Sequence, residues 1–128
     1  MSETENNSDK LGCMVGRLAA AAAVAGGLAA APAAAAPVDV FCTPTQVIVF
    51  TEEPRLHVRC EESFGRIVYF ATSTTEAAHA GRILSVIQTA LVAGHTLIVN
   101  YDPEDLSGEA IGCLTHDCRL IRRIGFGR

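Results

Sequence analysis

The chain has 128 residues, 49% of them hydrophobic, and a formal net charge of −4. That length admits one domain. The acidic balance excludes duplex nucleic acid as a partner, because binding it needs a basic footprint.

The opening residues, MSETENNSDKLGC, are too acidic to head a secretory leader, whereas Met14-Val15-Gly16-Arg17 makes a normal basic head. Met14 is therefore the expected true start. Residues 18–36, LAAAAAVAGGLAAAPAAAA, follow as an apolar run of small residues ending in two overlapping A-x-A patterns, Ala33 to Ala35 and Ala34 to Ala36. A basic flank, a short apolar stretch and small residues at the cut predict a Sec-type signal peptide. Gly26, Gly27 and Pro32 interrupt the run, so it is poor material for a membrane span. Cleavage is expected after Ala35. Cys13 precedes the apolar run, the wrong order for a lipoprotein. Residues 1–35 thus form extension and leader, and residues 36–128 form the domain, secreted or periplasmic.

Within 36–128 there are eleven Asp or Glu, eight Arg and no Lys. Four cysteines remain: Cys42, Cys60, Cys113 and Cys118. An even count in a small exported domain predicts disulfides. Sequence alone allows three pairings; the two local ones, Cys42–Cys60 and Cys113–Cys118, are expected because each joins neighbouring segments. By the chain-entropy account the shorter loop is worth about 2 kcal/mol and the longer about 3 kcal/mol. No C-x2-C spacing marks a zinc site or a redox pair, so no metal is expected.

The elements follow in order. TQVIVFT, 45–51, is β-branched and apolar and reads as a strand. EEP, 52–54, turns. RLHVRC, 55–60, alternates, with Leu56, Val58 and Cys60 on one face and Arg55, His57 and Arg59 on the other. EESFG turns again. RIVYFATS, 66–73, is apolar on both faces, with Ile67, Tyr69 and Ala71 on one and Val68 and Phe70 on the other. Such a strand is covered on both sides. One cover is the core; the helix or a neighbouring subunit is expected to supply the second.

The period then changes to that of a helix, within STTEAAHAGRILSVIQTALVAGH. Ser73 and Glu76 have capping-box spacing, and Gly94 fits the left-handed stop. Ala80, Ile83, Leu84, Ile87 and Leu91 form the buried stripe. Ala78, Arg82, Ser85, Thr89 and Val92 form an outer face of mostly small side chains. It suits either a solvent-facing surface or packing against copies of the same helix. HTLIVNY, 95–101, is the next strand, with Leu97, Val99 and Tyr101 on one face. DPEDLSGEAIG, 102–112, is a polar loop, and CRLIRRIGF, 118–126, is the last strand. The fold class is mainly β with one helix, α+β. Five strands with a helix between strands 3 and 4 have the order of an OB-fold-like Greek-key barrel.

The string RLHVRC…RIVYFATSTTEAAHAGRILSVIQTALVAGHTLIVNYDPEDLSGEAIGCLTHDCRLI resembles a family of small exported bacterial proteins. More distantly it is similar to the B subunits of subtilase-cytotoxin-like AB5 toxins. The likeness covers roughly residues 55–124. Its marks are a cysteine-bearing strand, a strand–helix–Gly–strand order and a close cysteine pair near the end. The resemblance implies an OB-fold, a pentamer-like ring through the 75–94 helix and strand edges, and a glycan ligand. The chain departs from sugar-binding relatives in having no Trp and only Tyr69 and Tyr101. Near the helix end, where those relatives carry aromatics, it reads Thr89, Ala90 and Leu91. No ligand-binding residue is assigned on this basis.

No catalytic motif is present, and His57, His79, His95 and His116 read as surface histidines, so no enzyme and no cofactor are expected. Asp102, Glu104, Asp105, Ser107 and Glu109 offer oxygens, but not at the spacing of a calcium loop; a solvated loop with Pro103 and Gly108 as turn residues is expected. Arg119, Arg122, Arg123 and Arg128 crowd the last strand, as charges that protect an edge or meet an acidic partner. The leading expectation is an exported, non-catalytic binding module directed at glycans or a cell surface. The alternative is a monomeric structural or accessory envelope protein with no glycan ligand.

Overall fold

A computed structural model describes residues 26–27 and 35–127. The expected leader falls almost wholly outside the described residues. One compact unit spans Pro32–Arg128. Its elements are β1 (Val38–Cys42), β2 (Pro44–Val49), β3 (Arg55–Phe64), β4 (Ile67–Ser73), α1 (Ala77–Ala93), β5 (Leu97–Tyr101), a 3-10 turn (Ser107–Ile111), β6 (Cys118–Leu120) and β7 (Arg123–Phe126).

The class is mainly β with one helix, as expected. The strands lie in two sheets, ordered β1-β5-β7 and β2-β3-β4-β6. This corrects the expectation of five strands with the helix between the third and fourth. VDVFC forms an additional strand at the start, so α1 follows the fourth strand. The closing segment divides in two, and no continuous ladder closes a barrel.

The breaks have local causes. At the β1–β2 junction the amide and hydroxyl of Thr43 both donate to the Glu62 carboxylate, at 2.8 and 2.6 Å. Pro44 next to it has no N–H to give a ladder, and the β2–β3 register shifts between Pro44 and Gln46. Between β6 and β7, the Ile121 amide donates to the Ala71 carbonyl in one sheet and the Arg122 amide to the Asn100 carbonyl in the other, each at 2.8 Å. The chain changes sheets across that peptide.

The main core lies between the sheets and under α1. Leu56, Val58, Phe70, Ile87, Leu97 and Val99 are fully buried in it. Burying such a side chain is worth about 1.5–3 kcal/mol. The helix buries Ala80, Ile87 and Ala90, with Ile83, Leu84 and Leu91 partly covered, which is the expected stripe. It ends at Gly94 in the left-handed conformation, φ 69° and ψ 30°. The expected capping box does not form. The helix starts at Ala77 with Glu76 as its cap, and the Ser73 hydroxyl turns to Thr75 instead. Ser73 is still in the ladder opposite Arg55, too early in the chain to cap.

The strand apolar on both faces, β4, is covered twice within the chain. Phe70 faces the main core. Ala71, with Tyr69 beside it, joins Cys113, Cys118 and Leu120 in a second, smaller cluster. The outer cover is the C-terminal loop, not the helix or a neighbouring subunit as expected. Parallel pairing of β6 with β4 brings it there, Tyr69 opposite Cys118 and Ala71 opposite Leu120.

Candidate functional site

The loop over β4 is built as a small roof. Gly108 is buried where its backbone passes the Cys113 and Leu120 side chains; a Cβ there would stand 2.9 Å from the Cys113 Cβ. Gly108 lies within the 3-10 turn, as a turn residue was expected to, and packs closely there. The left-handed residue that ends the turn is Gly112, at φ 87°. Cys113 and Cys118 are joined, as are Cys42 and Cys60, with Cα separations of 5.3 and 5.2 Å. The Asp117 carbonyl accepts from the Val68 and Tyr69 amides at 3.0 and 3.1 Å, locking the roof to β4. Arg119, expected as an outward charge, turns inward to the carbonyls of Pro103, Thr115 and Cys118.

Beneath and beside this roof lies a cleft of about 240 Å³, lined by Arg55, His57, Tyr69, Gly112, Leu114, Asp117 and Cys118. Period-two alternation places Arg55 and His57 on the same side of β3, away from the main core. His57 was expected on the surface. It does point outward, but it is only 9% exposed. Its ring stacks on Tyr69, centroids 4.7 Å apart, and Phe50 meets it edge-on at 5.0 Å. Its Nε2 is buried with no hydrogen-bond partner among the described residues. Burial above all, and the Arg55 guanidinium after it, hold His57 below the ordinary imidazole value of 6.5, against the opposite pull of Asp117. The imidazole is therefore neutral at pH 7.

Arg55 braces one end of the cleft. It stacks over Phe50 with Cζ 3.9 Å from the ring centroid, pairs with Glu53 at 2.7 Å, and donates to the Gly112 carbonyl. Its Nε is buried without a partner. Asp117 also lines the cleft, and among the described residues the one charged group within reach of its carboxylate is the His116 ring, 3.5 Å away. Leu114 is 56% exposed on the roof. The cleft thus offers a donor that never accepts, a carboxylate that only accepts and an imidazole able to do either. Such a set binds and orients a polar group.

The other singled-out residues do not converge here. Thr72 Oγ1 lies 3.3 Å from His79 Nε2, with no carboxylate bonded to His79 among the described residues. His95 packs against Phe126. In the acidic loop, the Asp102 and Asp105 carboxylates accept from the Glu104 and Ser107 amides at 2.9 Å, as turn residues do. No group of three or more His, Cys, Asp or Glu among the described residues is placed to hold a metal. Arg122 and Arg123 reach Asp102 and Asp39 of the same chain at 3.9 and 3.0 Å. Arg128 is outside the described residues. Thr89 and Leu91 lie on α1 far along the chain from the cleft residues, and Tyr101 is buried against Phe70.

Sequence reasoning missed Arg55, Tyr69, Gly112, Leu114 and Asp117 as a group. Two signals bear on part of it: Arg55 and His57 share a strand face, and the adjacent strand, with Tyr69, needs a second cover. Neither says that Gly112, Leu114 and Asp117 supply that cover. Among the described residues no helix is long and apolar enough to cross a membrane. No protein-family model, no curated protein and no solved structure matches the chain.

Proposed function

We propose that the protein is an exported, non-catalytic binding module that takes a glycan or another cell-surface ligand in the cleft beside His57. The observation carrying this reading is the partnerless, neutral imidazole in a cleft roofed by a disulfide-closed loop. A buried polar atom left unsatisfied costs stability, and a ligand is one way to offset that cost. Two disulfides and a small core agree with an oxidising compartment outside the cytoplasm.

The finer fold we propose is an OB-type framework like that of AB5 toxin B subunits. Its support is connectivity. β1 runs into β2 through Thr43 alone, and β6 into β7 through Ile121 and Arg122. Each pair can be read as one strand that kinks from one sheet into the other. The proposed oligomer is a ring of copies meeting through the 75–94 helix, whose outer face exposes Ala78, Arg82, Ser85, Thr89 and Val92. The doubly apolar β4 no longer argues for a ring, since its own chain covers it.

Light scattering on residues 36–128, followed by a glycan array, tests both parts. A mass near five copies with carbohydrate retained supports the ring and the ligand class. A single-copy mass with an empty array overturns them and favours the accessory envelope protein.

A further inference from the structure

The cleft's own chemistry narrows its ligand. Arg55 is already neutralised by Glu53 at 2.7 Å. Among the described residues Asp117 has no cationic partner other than the exposed His116 ring 3.5 Å away. With His57 neutral, the charge left over is the Asp117 carboxylate, so an anionic group entering here meets like charge. A volume of about 240 Å³ falls below the ~300 Å³ at which drug-sized pockets begin. It accommodates one ring or one terminal group.

What remains is a matter of donors and acceptors. The Arg55 Nε–H and the His57 Nε2, two residues apart on β3, are both buried and both without partners. Asp117 lines the same cleft, and its charge acts on the His57 ring. A hydroxyl accepts from the first, suits either tautomer of the second and donates to the third. A carboxylate can only accept and an ammonium can only donate, so neither serves the whole set. Tyr69 and the exposed Leu114 supply apolar surface for the C–H face of a ring. Both nitrogens are closed to solvent, so the proposed ligand reaches them only when a lining side chain moves, and Leu114 is the exposed one.

We propose that this cleft selects an uncharged, hydroxyl-bearing ring and discriminates against acidic ones, with Arg55, His57 and Asp117 as the discriminating residues. The proposal rests on the cleft being the binding site of the module above. Amide-resolved NMR titrations of the disulfide-intact domain test it, using methyl glucoside, methyl glucuronide and myo-inositol as probes. Glucoside and glucuronide share a ring and differ by a carboxylate; inositol is a neutral polyol that is not a glycoside.

Shifts at His57, Leu114 and Asp117 with glucoside or inositol, and affinity for glucuronide weaker by about tenfold, are the expected result. His57→Phe keeps the stacked ring and should lower neutral-ligand affinity by about tenfold while the domain stays folded. Asp117→Asn should abolish the preference against glucuronide. Equal or tighter glucuronide binding at the cleft overturns the proposal, as does absence of any cleft shift with all three probes. Shifts confined to the outer face of α1 also overturn it while leaving a binding module in place. Cleft binding of inositol alone upholds the selectivity while removing the glycan part of the function.

Discussion

The two disulfides join cysteines at similar Cα separations, yet they sit in different kinds of surroundings. Cys42–Cys60 lies in the main core, with exposures of 0% and 2%, and ties β1 of one sheet to β3 of the other. Cys113–Cys118 closes a five-residue separation inside the small outer cluster and touches the cleft. The first holds the two sheets together. The second holds a roof in place over one strand and over His57. Both cross-links restrict the unfolded chain, but only the first joins one sheet to the other.

The contrast is broken most directly by removing each cross-link. Cys42→Ala with Cys60→Ala should cost about 3 kcal/mol from loop entropy alone, lost globally as a lower denaturation midpoint. If hydrogen exchange instead shows only local opening, the central role of this bridge is wrong. Cys113→Ala with Cys118→Ala should cost about 2 kcal/mol. Its mark is local: the Val68 and Tyr69 amides, which donate to Asp117, should exchange faster while the Val99 and Leu97 amides stay protected.

Gly112→Ala sharpens the roof's half of the comparison. The site needs a left-handed φ of 87°, and a Cβ there runs into Arg55 and Glu53. A cost of about 1–2 kcal/mol is expected from conformation alone, read by thermal melting.

The pH dependence is subtler. His57 is depressed in the folded chain relative to its ordinary 6.5. The unfolded chain therefore takes up a proton first as pH falls. Stability from the neutral imidazole is fully present above about 6.5 and is lost progressively as pH drops from there towards the folded value. His57→Phe should flatten that part of the profile; an unchanged slope would assign it to another group. The smallest effect belongs to the exposed pair Asp39 and Arg123 on the first sheet. Arg123→Ala should leave the melting temperature within error, because surface pairs contribute little.

Legibility in the sequence followed the range of the interactions. The strand at 55–60 was readable from its alternation, and the same alternation put His57 opposite Leu56 and Val58. It was not readable that residues 113–118, more than fifty positions later, would cover that face. The Glu61–Phe64 segment reads as turn in the sequence and is strand in the structure, because only the turn at Gly65 is needed to reverse the chain. VDVFC carries a weak strand signal: Asp39 and Phe41 point outward, and only Val40 and Cys42 are covered.

Local chemistry in the sequence determined the main strands, the helix with its buried stripe and its stop at Gly94, and cysteine pairs close enough in the chain to join. These depend on periodicity, backbone conformation and short loops, which neighbouring residues control. Only the tertiary structure decided that the ladders part at Thr43 and at Ile121–Arg122, and that the C-terminal loop roofs β4. It alone turned an outward histidine into a buried, partnerless one. Those outcomes depend on which distant segments share a face, and a chain's pattern along its length does not encode that by itself.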